Sequence, residues 1–476
     1  MSEQQQFDVA FIGGGPGGYV AAIRAAQLGL KVAVVEKERL GGTCLHHGCI
    51  PSKSILRSAE IYRNAKEGEE FGVIAQSITF NFAQIQDRKR KVVDQLTKGI
   101  EGLFKKNKIT VFEGFGRITG SPSVAPALGT ISVKKANGEK ETTLSAKNII
   151  VATGSRPRSL PGLEIDGTYV MTSDEALEMH ELPKSMIIIG GGVIGMEWAS
   201  LLNDFGIEVT VIEFLPRILP LEDADISKDM TRVMKKRKVK IHTSTGVIAQ
   251  SVKVVDGHVE LEAKKGDQVL QFSAEKVLVS VGRQANSENI GLENTQVEVE
   301  RGNIKVNEYF QTAEPNIYAI GDVIGGIQLA HVASHEGIVA VEHIAGKDPH
   351  PMDYLAVSKC TFTSPEVASV GMSEDEAKEK GHEVKVGKFQ FRGIGKALVH
   401  GEVDGFVKIV ADKNTNELLG VHMIGPHVTD MISEAGLAKV LKATPWEISH
   451  TIHPHPTLSE AVLEAALDVD GKAIHA

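Results

Sequence analysis

Two cysteines stand five positions apart in the segment Gly41-Gly-Thr43-Cys44-Leu-His46-His47-Gly48-Cys49-Ile-Pro51-Ser-Lys53. The chain has only three cysteines, so two close thiols need a chemical reason, and thiol–disulfide exchange is the first. In a regular helix, positions i and i+5 differ by ~140° and ~7.5 Å of rise, which sets their Cα atoms roughly 8–9 Å apart, too far to bridge. If the pair bridges, the segment departs from regular helix. Gly48 supplies that freedom, and Pro51 disfavours helix at Ile50. A distorted turn feeding a helix N-terminus also predicts a lowered thiol pKa. Lys53 follows Cys49 by one helical turn. Two buried, unpaired thiols are one alternative. A metal held by Cys44, His46, His47 and Cys49 is another, but the spacing differs from zinc patterns and the sequence carries no second cluster, so no metal is expected. Cys360 stands alone and reads as a core thiol.

The second constellation is Thr451-Ile-His453-Pro-His455-Pro-Thr-Leu-Ser-Glu460. Two prolines remove two N–H donors and hold the chain extended ahead of a helix starting near Leu458. Glu460 is close enough in sequence to orient an imidazole and raise its basicity. A histidine that merely caps a helix is the plain alternative. Prolines on both sides of His455, with a carboxylate following, favour general acid–base work.

These groups need a scaffold, and the sequence supplies the same unit twice. The first runs from Phe7 through Gly13, Gly15 and Gly18 to Glu36, and the second from Met186 through Gly190, Gly192, Val193, Ile194 and Gly195 to Glu213. Each is a β-branched run, a G-x-G-x-x-G turn, an apolar helix and a second strand ending in Glu. Gly13 to Gly190 and Glu36 to Glu213 are both separated by 177 positions (190 − 13 and 213 − 36), so the units align without a gap. The first glycine makes a tight turn, the second lets backbone approach a pyrophosphate, and the third lets helix pack on strand. A helix N-terminus then offers N–H groups and positive dipole to the anion. A Glu closing the second strand accepts ribose hydroxyls and repels a 2′-phosphate, which favours NAD over NADP. Two such motifs in full context are strong where one is weak.

Around these units, residues 82–106 read as a polar helix and 109–112 as a strand. Asn137-Gly138 is a hairpin cue. Short strands ending in glycine precede Thr153-Gly154-Ser155, Gly282-Arg283 and Gly321-Asp322. The predicted fold is α/β, with two Rossmann-like dinucleotide-binding domains, residues 1–155 with 283–350 and residues 156–282. A C-terminal α+β domain, residues 351–476, carries strands near 406–411 and 418–424 and helices near 430–441 and 458–466.

Length and composition agree: 476 residues suggest about three domains. Lys plus Arg is 52 and Asp plus Glu is 61, a net charge of −9, which argues against a nucleic-acid partner. Hydrophobic content of 42% with 24% charged residues is that of a globular chain. The most apolar stretches, such as 186–194, are far below the ~18 residues of a membrane span. The first six residues carry no positive charge before the apolar run, so no signal peptide is expected. Few cysteines suggest a reducing, cytoplasmic setting.

Taken together, these motifs resemble the flavoprotein disulfide reductases, the class I pyridine nucleotide-disulfide oxidoreductases, and within them the members acting on dihydrolipoyl groups. The resemblance rests on Gly41 through Lys53, the Ala152-Thr-Gly-Ser turn, the Gly190 unit with Glu197, Val281-Gly-Arg283, Ala319-Ile-Gly-Asp322 and the final His-Pro-His-Pro-Thr, and covers nearly the whole chain. It implies FAD on the first unit, held by Gly13, Gly15, Gly18, Glu36, Thr43, Lys53, Gly116, Thr153, Gly154, Ser155, Asp322 and Ala330. It implies NAD on the second, held by Gly190, Gly192, Val193, Ile194, Gly195, Glu213 and Gly282. It implies that Cys44 and Cys49 form a redox disulfide, Cys44 nearer the substrate and Cys49 against the flavin, with Lys53 and Glu197 as an ion pair tuning the ring. It further implies a homodimer, His455 and Glu460 reaching the cysteines of the other subunit, and docking to the lipoyl domain and core acyltransferase of a 2-oxoacid dehydrogenase complex. One departure is His46-His47, where many members have Asn-Val; copies serving branched-chain complexes look similar here. An NADPH-dependent reductase of glutathione is the nearest alternative, opposed by Glu213. A binding subunit with vestigial activity is the alternative outside enzymes, opposed by intact Cys44, Cys49 and His455.

Overall fold

The run Phe7-Asp-Val-Ala-Phe-Ile, apolar on nearly every position, forms a parallel strand buried on both faces. This is β1 (Gln6–Ile12), in a computed structural model that describes residues 6–121, 128–135 and 141–475. Helix α1 (Pro16–Gln27) follows, with Pro16 at its start where a missing N–H costs nothing. Then come β2 (Val32–Glu36), α2 (Gly42–His46) and α3 (Cys49–Lys66). The first sheet runs Thr110–Glu113, β2, β1, Thr142–Val151, Gly129–Lys134, Phe115–Gly120, with Ile317–Ala319 also paired to Thr142–Val151. Its central pairs are parallel, and the Gly129–Lys134 and Thr142–Val151 pair is antiparallel. Asn137-Gly138, the hairpin cue between those two strands, lies outside the described residues. The polar stretch at 82–106 is a helix, Phe82–Lys106.

The second nucleotide-type unit repeats the plan with β3 (Ser185–Ile189), α4 (Val193–Asp204) and β4 (Glu208–Ile212). Its sheet runs Lys240–His242, β4, β3, Lys276–Val279, Val170–Met171, all parallel. Even the register repeats: Val9 pairs Val32 and Met186 pairs Val209, the same 177-residue shift on both strands (186 − 9 and 209 − 32).

The C-terminal sheet is antiparallel, in the order Lys359–Thr361, Glu366–Gly371, Leu418–Gly425, Phe406–Asp412, Val384–Gln390. Helices α5 (Val428–Val440), α6 (Pro445–His450) and α7 (Glu460–Asp468) cover it, with Val407, Ile409, Val421, Ile432, Val462 and Ala465 in one core. Contacts divide the chain into two compact units. The first holds residues 1–55, 83–158 and 283–352; the second holds 56–82, 159–282 and 353–476. No helix among the described residues is long and apolar enough to cross a membrane.

Candidate active site

A break between two helical segments brings the two cysteines together. Helix α2 carries Cys44 and ends at His46; the next residue, His47, has a φ of −129° that leaves the helical region. Gly48 then lies against the Thr43 carbonyl so closely that a Cβ there would stand 3.1 Å from the oxygen. Cys49 opens α3, and the helical bond from Ser52 N–H to the Gly48 carbonyl is already made. The segment is thus two helices joined by a kink, as the spacing required. Ile50 is helical, contrary to the expectation drawn from Pro51. Pro51 falls in the first turn of α3, where no N–H partner is lost and the proline restriction is absorbed.

Cys44 and Cys49 lie side by side, joined by a hydrogen bond. The expected lowering of thiol pKa fails at Cys44. The hydrogen bond with Cys49 and then burial push the Cys44 thiol up, the charge of Cys49 adds to this, and Lys53 opposes it. Cys49 stands at the start of α3, on the side of the positive end of the helix dipole. Tyr19, on α1, was not singled out by the sequence; burial and the charge of Cys44 raise its phenol pKa.

His46 and His47 brace the loop before the first cysteine. The His46 ring bonds the Leu40 carbonyl at 2.9 Å and the His47 ring meets Glu38 at 3.3 Å. Burial pushes the His46 pKa down, so the ring is neutral at ordinary pH.

The two glycine motifs have the same geometry. Gly13 and Gly190 adopt φ of +109° and +108°, and a Cβ on either would sit 2.2 or 2.4 Å from the Ala152 or Ser280 carbonyl oxygen. Only glycine fits this turn at the end of the neighbouring strand. A Cβ at Gly18 or Gly195 would meet the carbonyl oxygen of Gly13 or Gly190 at 2.1 or 2.0 Å. Glu36 accepts from the N–H of Gly14 at 2.7 Å and of Glu38 at 2.9 Å; Glu213 accepts from Gly191 and Leu215, each at 2.6 Å. Each carboxylate keeps lone pairs for a ribose while it fixes the turn. Helices α1 and α4 start at Gly15 and Gly192 with no side-chain cap. A Cβ at Gly192 would meet nothing within 4 Å, and Val193 is exposed with Ile194 half-buried. Open space over uncapped N–H groups is what a pyrophosphate requires. The chain's own residues thus fit a dinucleotide in each unit.

Other residues read from the sequence gather at the first unit's turns. Thr153 Oγ1 donates to the Asn286 carbonyl at 2.7 Å, and Asn286 N–H donates to the Gly154 carbonyl at 2.9 Å. Ser155 Oγ donates to Asp322 at 2.5 Å and accepts from Arg283 at 2.6 Å. Asn286 was missed, since nothing in its neighbourhood reads as a motif. Thr43 lies in α2 and is half-buried; Ala330 opens the uncapped helix Ala330–Ile344. Gly116 instead packs on Val35 and Ile12, where a Cβ would stand 3.0 and 3.2 Å from their methyls. Gly282 has φ of +110° with nothing near its Cβ position. Lys53 belongs to the first unit and Glu197 to the second. Glu197 is buried in α4 and accepts from the Phe362 N–H at 2.9 Å.

In the second unit, His455 Nδ1 and Glu460 Oε1 are 2.8 Å apart, and Glu460 Oε2 accepts from the Thr457 N–H at 2.9 Å. Burial works against ionisation of Glu460, yet these bonds hold its carboxyl below the ordinary range. The His455 side chain is 78% exposed, free to meet a partner from outside its own chain segment. His453, two residues earlier, is 3% exposed and spans Glu434 at 2.8 Å and the Thr451 carbonyl at 3.0 Å, so it anchors the loop on α5. Cys360 is half-buried beside the C-terminal core.

The family model described as pyridine nucleotide-disulphide oxidoreductase matches residues 7–337, and its dimerisation domain matches residues 357–466. Dihydrolipoyl dehydrogenase of Bacillus subtilis is 63% identical over 470 residues, covering 99% of both chains. Dihydrolipoyl dehydrogenase of Rhizobium etli is 44% identical over 482 residues, covering 99% of this chain and 100% of that protein. The crystal structure of LpdA from Mycobacterium tuberculosis superposes with a TM-score of 0.90 at 26% identity, over 97% of this chain and 99% of that one.

Proposed function

The chain belongs to the pyridine nucleotide-disulphide oxidoreductases, and we propose that it oxidises protein-bound dihydrolipoyl groups with NAD⁺ as acceptor, as the homodimeric dehydrogenase of a 2-oxoacid dehydrogenase complex. The observation that carries the reading is the pair Cys44 and Cys49, set against each other by the kink at Gly48. The branched-chain complex is the favoured host, and a cytoplasmic site the favoured setting.

His455, oriented by Glu460, takes the proton of one dihydrolipoyl thiol. The resulting thiolate attacks Cys44 Sγ, and the Cys44–Cys49 bond breaks with Cys49 leaving as thiolate. The second lipoyl thiol, deprotonated in turn, attacks the lipoyl sulfur bound to Cys44; lipoyl disulfide leaves and Cys44 is released. Two electrons and their protons have then passed from substrate to the cysteine pair. Bound FAD and NAD⁺ supply the onward two-electron transfer that no side chain can provide.

Residues 1–155 with 283–350 take the FAD role, 156–282 the NAD role and 351–476 the subunit interface. Gly13, Gly15, Gly18 and Glu36, with the turn at Thr153, Gly154 and Ser155, present backbone donors and a carboxylate to the first dinucleotide, joined by Thr43, Gly116, Asp322 and Ala330. Gly190 through Gly195, Glu213 and Gly282 do so for the second. Lys53 and Glu197 are each assigned the flavin-tuning role that the resemblance implies.

Storage of the electron pair between two half-reactions predicts ping-pong kinetics. A full initial-rate grid should give parallel double-reciprocal lines, and Cys49→Ser should keep flavin but lose lipoyl turnover. Intersecting lines with a compulsory ternary complex, or normal turnover in Cys49→Ser, would contradict the mechanism.

A further inference from the structure

We infer that His400, Glu402 and His427 form a binding site for a divalent transition-metal ion, apart from the residues of the thiol chemistry. One ligand atom from each of the three lies within 4.8 Å of the others. His400 ends the short helix Gly395–His400, and Gly401, at φ +73°, turns the chain so that Glu402 follows on the same side of the cluster. His427 sits directly before α5 with φ of +54°, a left-handed conformation uncommon for a residue with a side chain. The two imidazoles are 5.9 Å apart between ring centres and inclined at 75°.

The chemistry of the set is specific. Most histidine rings around the proposed redox site and in the C-terminal core are committed, such as His453 to Glu434 and His422 to the Met372 carbonyl. The His400 and His427 rings touch each other and make no hydrogen bond among the described residues. Their ring nitrogens are available as ligands. Arg63 approaches Glu402 only to 4.0 Å and is turned mainly to Asp204, at 3.3 Å, so the carboxylate is not taken. Two imidazoles and one carboxylate suit Zn²⁺, Cu²⁺ or Ni²⁺ and disfavour Mg²⁺ and Ca²⁺, which select all-oxygen sets. Bonds of ~2.0–2.2 Å need the three atoms to close by roughly 1 Å, a movement within reach of the exposed Glu402 and His427 side chains around the half-buried His400. Three protein ligands leave a fourth position for water or an incoming group.

The test uses the metal-stripped, flavin-loaded homodimer with its cysteine pair oxidised, so that thiols do not compete. Titration with Zn²⁺ by calorimetry should saturate at one ion per chain. His400→Ala, and His427→Asn, which tolerates the left-handed backbone, should each weaken binding by at least ~10-fold. Cys44→Ser with Cys49→Ser should leave the affinity unchanged. In the unaltered protein, one equivalent of Cu²⁺ should give an electron paramagnetic resonance spectrum with coupling to two imidazole nitrogens. Absence of saturable binding, equal affinity in both histidine variants, or a copper spectrum without nitrogen coupling would overturn the assignment.

Discussion

His455 and Glu460 hold a 2.8 Å contact, and the hydrogen bond with Cys49 and then burial push the Cys44 thiol up. The proposed base and the cysteine pair that accepts the electrons lie one in each compact unit. His455→Gln should lower kcat for dihydrolipoamide oxidation by ~10²–10⁴ with flavin content unchanged, because only proton transfer is removed. Glu460→Gln should give a smaller loss in kcat with KM little changed, since an amide oxygen still orients the ring without its charge. Steady-state kinetics beside the flavin absorbance checks both; equal activity in His455→Gln would remove it from the reaction. At this scale the sequence was legible where spacing carried the chemistry, as at Cys44, Cys49 and His455. It misled on the Cys44 thiol, because the direction of that shift depends on the bond between two sulfurs that only the kink at Gly48 creates. Asn286 and Tyr19 were invisible, since their roles arise from neighbours more than a hundred positions away or from burial.

The strand–turn–helix units give each glycine motif a separate task. Gly13→Ala forces a side chain into the Ala152 carbonyl and should yield a chain that no longer retains flavin. Gly190→Ala meets the Ser280 carbonyl in the same way and should keep flavin while raising the KM for NAD⁺ by ~10-fold or more. Flavin absorbance per chain and NAD⁺ kinetics separate the two; loss of flavin in Gly190→Ala with normal flavin in Gly13→Ala would reverse the assignment of units. These elements were the most readable part of the chain, because a gapless 177-residue repeat fixes strand, turn, helix and acidic stop together, down to strand register. Helix at Ile50 was missed because a proline three residues into a helix looks, in sequence, like one that ends it.

The whole molecule pairs through its C-terminal dimerisation domain, and the proposed reaction joins the cysteines of one subunit to His455 of the other. Dimers carrying Cys49→Ser and dimers carrying His455→Gln should each be nearly inactive. Reassorted by mild denaturation and refolding, random pairing into twofold dimers should restore about one quarter of the unaltered activity, because half the pairs are mixed and half of their sites are whole. No recovery, with mixed dimers demonstrated, would place both groups in one chain. Composition and charge set only the broad class at this scale; the three-part architecture followed from motifs, and the subunit arrangement from the resemblance rather than from spacing. The most direct test of the central claim is NADH formation from NAD⁺ and dihydrolipoamide by the purified flavoprotein, with NADP⁺ in parallel. Rapid NADH formation with little NADPH is predicted, since the Glu213 carboxylate closes β4 where a 2′-phosphate would lie. No NADH, with flavin bound and the cysteine pair intact, would contradict the dihydrolipoyl assignment.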